Sequence, residues 1–137
     1  MKKLTLLFVL LFAGNLVIAQ QVPYNVVFDI TSKDTVVHQM VMRWVTEIAK
    51  EHPDAKLEVV FYGKSLDLIT KDKSPFADEI TKLTSGKNVS FSACEVAMKR
   101  NNVEKSQLLP GVTTVPDGIY EIVKRQADGW AYIKADR

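Results

Sequence analysis

The sequence predicts an α/β fold: a three-layer α/β/α sandwich around a mostly parallel sheet of about five strands. Three observations predict it. Short β-branched and aromatic runs alternate with stretches whose apolar residues recur every three or four positions. A helix-length segment separates most of the runs, which calls for parallel pairing through right-handed crossovers rather than hairpins. The single cysteine forms no intramolecular disulfide, so an apolar core has to hold the fold.

The chain opens with a leader. Lys2 and Lys3 precede a dense apolar stretch over residues 4–13, and Val17 and Ala19 occupy the −3 and −1 positions of a cut before Gln20. Charge, apolar core and small-residue exit in that order describe a secretory signal peptide over residues 1–19, leaving a domain of residues 20–137. As a helix, residues 4–19 would be about 24 Å long, short of the roughly 30 Å hydrocarbon core of a bilayer. Gly14 and Asn15 weaken a permanent anchor further. The expectation is an exported protein, periplasmic or secreted, without stable membrane insertion after cleavage.

After the leader the elements follow in turn. Residues 24–30, YNVVFDI, read as a buried strand. Thr31, Ser32, Lys33 and Asp34 supply turn and N-cap chemistry, and residues 35–51 carry Val37, Val41, Trp44, Val45 and Ile48 on one helical stripe. Pro53 stops that helix. Residues 56–62, KLEVVFY, form a second strand ending at Gly63, and residues 64–73 suggest a short helical turn over the sheet. Ser74 and Pro75 read as N-cap and first position of a helix whose edge is Phe76, Ile80 and Leu83, closed by Gly86. A third strand begins at Asn88 and reaches about Phe91, leading into a helix EVAMKR that ends at Asn101 and Asn102. Residues 112–115 form a short fourth strand, and Pro116, Asp117 and Gly118 turn into a helix with Ile119, Ile122 and Val123 on its apolar face. Gly129 caps it before a fifth strand, WAYIK, over residues 130–134.

Composition excludes several functions. Lys2 and Lys3 account for the whole formal charge of +2, so the mature domain is neutral and offers no basic face for nucleic acid. One cysteine and two isolated histidines lack metal-site spacing, and no glycine-rich phosphate loop or nucleophile elbow is present. No cofactor is expected. His38, at the edge of the first helical stripe, reads as a satisfied structural histidine, and His52 as solvent-exposed. Gln126 falls on the expected inward stripe of the last helix and reads as a structural clasp.

In a parallel sheet, ligands gather at the C-terminal ends of the strands. That edge collects residues 31–34, Tyr62, Gly63 and the two positions after it, Ser92 to Glu95, and Pro116, Asp117 and Gly118. Cys94 is the candidate reactive residue among them. Ser92 and Glu95 have capping-box spacing, which would place Cys94 at the second position of a helix, beside free N–H groups that favour a thiolate. Glu95 opposes a second anion nearby. The residues alone therefore leave two readings open, a reactive thiolate and a small buried hydrophobe.

Around these residues the chain resembles the DsrE/DsrF-like family, which includes YchN-type proteins. The resemblance spans roughly residues 24–134 and is strongest in NVSFSACEVAMKR and LLPGVTTVPDGIYEIVKRQADGWAYIK. It implies a parallel α/β sandwich that assembles as a homo-oligomer, often a trimer or hexamer. It also implies the sulfur chemistry of some members, in which a cysteine at the position of Cys94 receives sulfur as a persulfide and passes it to a partner, the donor or acceptor being a protein or a small thiol. The alternative is a non-enzymatic binding or assembly module with a structural cysteine.

Overall fold

The computed structural model describes residues 22–136; the expected leader, residues 1–19, lies outside them. Strands and helices alternate: β1 (Asn25–Ile30), α1 (Thr35–Glu51), β2 (Lys56–Phe61), α2 (Ala77–Thr84), β3 (Val89–Cys94), α3 (Glu95–Arg100), β4 (Thr113–Val115), α4 (Gly118–Ala127) and β5 (Ala131–Ala135). Short 3₁₀ turns at Ser65–Ile69 and Lys105–Gln107 complete the connections. The sheet has the order β4-β3-β2-β1-β5, and every pair is parallel. The expected α/β architecture is therefore present.

Alternation along the central strands divides the side chains between two faces. Val26, Phe28 and Ile30 of β1, Leu57, Val59 and Phe61 of β2, and Phe91 and Ala93 of β3 belong to one large core cluster. Val37, Val41, Met42 and Val45 of α1, Leu66, Leu68 and Ile69, Ile80 of α2, and Ala97 and Met98 of α3 cover it. Burial of a side chain of this size is worth about 1.5–3 kcal/mol, so this layer holds the fold without a disulfide. Among the described residues the opposite face is covered by α4 alone, with a small cluster of Val27, Val60 and Ile122 against which Tyr62 and Trp130 pack. The rest of that face is polar, which is why one helix suffices.

Helix α1 starts and stops as expected. Asp34 is its N-cap, accepting from the Val36 amide at 2.9 Å, and His52 is its C-cap just before Pro53. His38 is buried, with Nε2 2.8 Å from the Ser32 carbonyl oxygen, a structural histidine. No helix among the described residues is long and apolar enough to cross a membrane.

Three local expectations are corrected. Helix α2 begins at Ala77 rather than at Ser74-Pro75: the amides of Lys73 and Ser74 both donate to the Thr70 carbonyl, so this stretch is a turn, and Ser74 Oγ accepts from the Phe76 amide at 3.2 Å. Strand β3 continues to Cys94, because Ser92, Ala93 and Cys94 pair with Thr113, Thr114 and Val115. Helix α4 turns Gly118, Glu121 and Ile122 inward, leaving Ile119, Val123 and Gln126 exposed. Its inward polar contacts displace the apolar face expected from spacing.

Candidate functional site

Cys94 is the last residue of β3 and also the N-cap of α3, with φ −70° and ψ 118°. No side chain caps α3, so the capping box expected of Ser92 and Glu95 is absent. Ser92 is still within the strand, and its Oγ donates to Glu58 Oε1 at 2.5 Å. Glu95 instead accepts from Thr114 Oγ1 and from Lys105 Nζ, each at 2.8 Å. Lys105 first, then Thr114, holds the Glu95 carboxyl below the usual carboxylate range.

Cys94 as a residue is 5% exposed. Above it lies the first turn of α4. A Cβ on Gly118 would stand 3.0 Å from Cys94 Cβ, 3.1 Å from Val60 Cγ1 and 3.5 Å from Tyr62 Cβ. Gly118 is thus the residue that lets α4 close over Cys94 and Tyr62. Asp117, the N-cap of α4, accepts from the amides of Ile119 at 2.8 Å and Tyr120 at 3.2 Å, which uses those donors locally.

Next to Cys94, Tyr62 opens onto a polar cluster. Asp29 of β1 accepts from Tyr132 Oη at 2.7 Å and from Lys134 Nζ at 3.3 Å, and Tyr62 also hydrogen-bonds to it. Lys134 Nζ lies 3.3 Å from Thr31 Oγ1 and 5.9 Å from the centre of the Tyr62 ring. Burial, and then the hydrogen bond and charge of Asp29, push the Tyr62 phenol far above its ordinary value. The Asp29 hydrogen bond, followed by burial, pushes Tyr132 up to about 12. At neutral pH both phenols are protonated, as an unshifted tyrosine also is, and the upward shift records their bonding to the Asp29 carboxylate.

Of the residues singled out by sequence, Cys94, Tyr62 and Gly118 meet. Ser92 is turned to Glu58, Glu95 to Lys105 and Thr114, and Pro116 is exposed beyond β4. Gly63, at φ +64°, bends the chain after β2, and its carbonyl accepts from Asn101 Nδ2 at 2.9 Å. Asp29, Tyr132 and Lys134 were missed; the signal available was a lone acid, Asp29, inside an otherwise apolar strand. A second such acid, Glu58, is bound by Ser92 and by Arg125 Nε, which also lies 3.0 Å from Glu121 Oε1. A cavity of about 840 Å³ lies at the opposite end of the sheet, lined by residues such as Ala49, Pro53, Leu83 and Val89, and shares no residue with the Cys94 cluster. Among the described residues no group of three or more histidine, cysteine or acidic side chains converges to hold a metal.

The chain can be set beside known proteins on these grounds. No curated protein matches it. The solved structure of the protein of unknown function MTH1491 from Methanobacterium thermoautotrophicum is similar over 81% of this chain and 98% of that one, at 31% identity and a TM-score of 0.75. The ychN protein from E. coli matches over 82% of this chain and 98% of its own, at 9% identity and a TM-score of 0.68. The conserved protein of unknown function BT1422 from Bacteroides thetaiotaomicron matches over 81% of this chain and 94% of its own, at 16% identity and a TM-score of 0.66. The last two speak for the fold alone. The model of the DsrE/DsrF-like family matches residues 26–135, nearly all of the described chain, and the protein belongs to that family.

Proposed function

We propose that this protein is an exported sulfur carrier in which Cys94 accepts and passes on a sulfur atom as a persulfide. The observation that carries the reading is the place of the one cysteine: the C-terminal tip of a central parallel strand, at the uncapped start of α3, in a DsrE/DsrF-like chain. The first-turn amides of α3 carry no side-chain cap and are available to a negative charge on sulfur. In the first step the Cys94 thiolate attacks the terminal sulfur of a donor persulfide. The donor S–S bond breaks, its electron pair leaves with the donor thiolate, and Cys94 holds the new S–S bond. In the second step an acceptor thiolate attacks that terminal sulfur and the Cys94 thiolate departs, so the exchange needs no outside oxidant or reductant.

The experiment is mass measurement of the purified protein after exposure to a small persulfide donor. The expected result is the gain of one sulfur atom, lost on adding a thiol and absent from Cys94→Ser. A protein that gains no sulfur, or gains it equally in Cys94→Ser, overturns the reading. The 5% exposure of Cys94 favours a second reading, a binding or assembly module with a structural cysteine. Its signature is thiol labelling that is slow in the folded protein, fast after unfolding, and indifferent to donor size.

Two further parts of the proposal follow from other residues. Residues 1–19 act as a cleaved export signal, and the N-terminus of protein recovered from outside the cytoplasm is expected to be Gln20. The exposed residues Ile119, Tyr120 and Val123 of α4 support a homo-oligomer built on that helix.

A further inference from the structure

The loops after β1 and β2 form a second feature at the strand tips, built from residues other than the sulfur site. Lys33, Lys64, Leu66, Asp67, Lys73 and Asn101 line a pocket of about 230 Å³ there, together with Val103. Its walls are fixed by backbone bonds. The Lys64 amide donates to the Thr31 carbonyl at 3.0 Å, and Gly63, at φ +64°, lets the two loops pass so closely that a Cβ would sit 3.2 Å from that same oxygen. Asn101 ties the end of α3 to the loop, its Nδ2 donating to the carbonyls of Gly63 and Ala97. Both amide hydrogens are used in this way, so Asn101 is wall rather than contact.

The charges in the pocket do not balance. Asp67 is its one acid, and Lys73 Nζ sits 2.8 Å from it. Lys33 and Lys64 make no ion pair with the described residues. Asp34, the acid next to Lys33 in sequence, is not among the residues that line the pocket; its side chain caps α1 through the Val36 amide. Lys33 and Lys64 thus border this small polar space as cations that no ion pair with the described residues neutralises. The pocket is small and open to solvent, which suits a small, partly hydrated oxyanion. The apolar floor of Leu66 and Val103 strengthens the field of the lysines by excluding water on one side. A compact ammonium on a flexible stem binds phosphate as a point charge, so two of them suit a divalent anion.

We propose that this pocket binds a small divalent oxyanion, the phosphate or sulfate group being the shared chemistry, either as the free ion or as a phosphomonoester. The proposal stands apart from the sulfur reading, since none of its residues touches Cys94. The test is isothermal titration of the purified protein with inorganic phosphate, sulfate and glycerol 3-phosphate. Lys33→Ala and Lys64→Ala are each expected to weaken binding about fivefold, and the double variant to abolish it. Lys56→Ala, which removes the same charge from the far end of β2, is expected to bind as the parent does. Binding should weaken as sodium chloride rises from about 50 to about 200 mM. Glycerol 3-phosphate binding more tightly than phosphate identifies a phosphomonoester as the ligand, and the reverse order identifies the free ion; either supports the site. No binding of any of the three at roughly 20 mM, or an equal loss in Lys56→Ala, overturns it.

Discussion

A Cβ on Gly118 would lie 3.0 Å from Cys94 Cβ and 3.1 Å from Val60 Cγ1, tighter than most packed side chains, so a missing methyl group lets α4 approach the sheet this closely. Gly118→Ala is expected to cost about 1 kcal/mol net, overpacking exceeding the gain in helix propensity, and to speed labelling of Cys94 as α4 is lifted. Urea unfolding and a thiol-reaction rate measure the two; a stabilised, slower-labelling variant would contradict the packing argument. Asp29 gives a second residue-scale outcome. It raises the phenols of Tyr62 and Tyr132, so the folded state holds those protons more tightly than the unfolded chain, whose tyrosines ionise near 10.0. Their contribution to stability is therefore complete below about pH 10 and, for Tyr132, lost as pH rises through about 12. In a phenolate absorbance titration Asp29→Asn should bring Tyr132 back toward its ordinary value, and an unchanged titration would remove Asp29 as the cause. How much of this was legible is a matter of distance along the chain. Asp29 and Glu58 stand out as acids within apolar strands, and strand alternation puts both on the α4 side of the sheet. Their partners Tyr132 and Arg125 are 103 and 67 residues away, and no local pattern connects them.

Helix α4 shows how a polar anchor overrides an apolar count. Ile119, Ile122 and Val123 suggest one inward face, yet Arg125 reaches Glu58, which is 1% exposed, and stacks 4.8 Å over Trp130. This rotates Gly118, Glu121 and Ile122 toward the sheet and Ile119 and Val123 toward solvent. Removing one partner of such a pair leaves a buried charge without compensation. Arg125→Ala is expected to destabilise by about 2–3 kcal/mol, less than a fully buried pair because the arginine is partly exposed. Neutralising the stranded acid should recover part of that loss, so Arg125→Ala with Glu58→Gln is expected to be more stable than Arg125→Ala alone. Strictly additive losses in chemical denaturation would show that the ion pair does not orient the helix. The same local-against-tertiary competition explains β3. Ser-Ala-Cys-Glu has capping-box spacing, but Ser92 finds Glu58 on one neighbouring strand and Thr113 on the other, and the extended backbone persists to Cys94. Helix α1, with Asp34 before it and Pro53 after it, was legible because its start, stripe and stop all lie within one contiguous segment.

At the scale of the molecule, the alternation of strand and helix fixed the class and the parallel pairing, whereas the position of β5 beside β1 at the sheet edge depends on contacts between the two ends of the domain. That topology leaves the two faces unequal. Among the described residues three helices bury one face, while α4 alone crosses the other and turns its remaining apolar residues outward: Ile119 is 60% exposed, Tyr120 69% and Val123 55%. Ile119 and Val123 are four residues apart and share one side of the helix, so they present a continuous apolar strip rather than scattered residues. Burying a valine or isoleucine is worth about 1.5–3 kcal/mol, and a two-fold contact buries each residue twice. A strip of this kind therefore supports self-association through α4, in line with the proposed homo-oligomer. Sedimentation at about 50 µM is expected to give an oligomer for the parent protein and a monomer for Val123→Glu, because the glutamate would have to be desolvated in the interface. Since Val123 faces away from the sheet, Val123→Glu should keep the circular dichroism and the unfolding midpoint of the isolated subunit. A parent protein that sediments as a monomer at that concentration, or an oligomer that tolerates the glutamate, would place the assembly surface elsewhere or remove it.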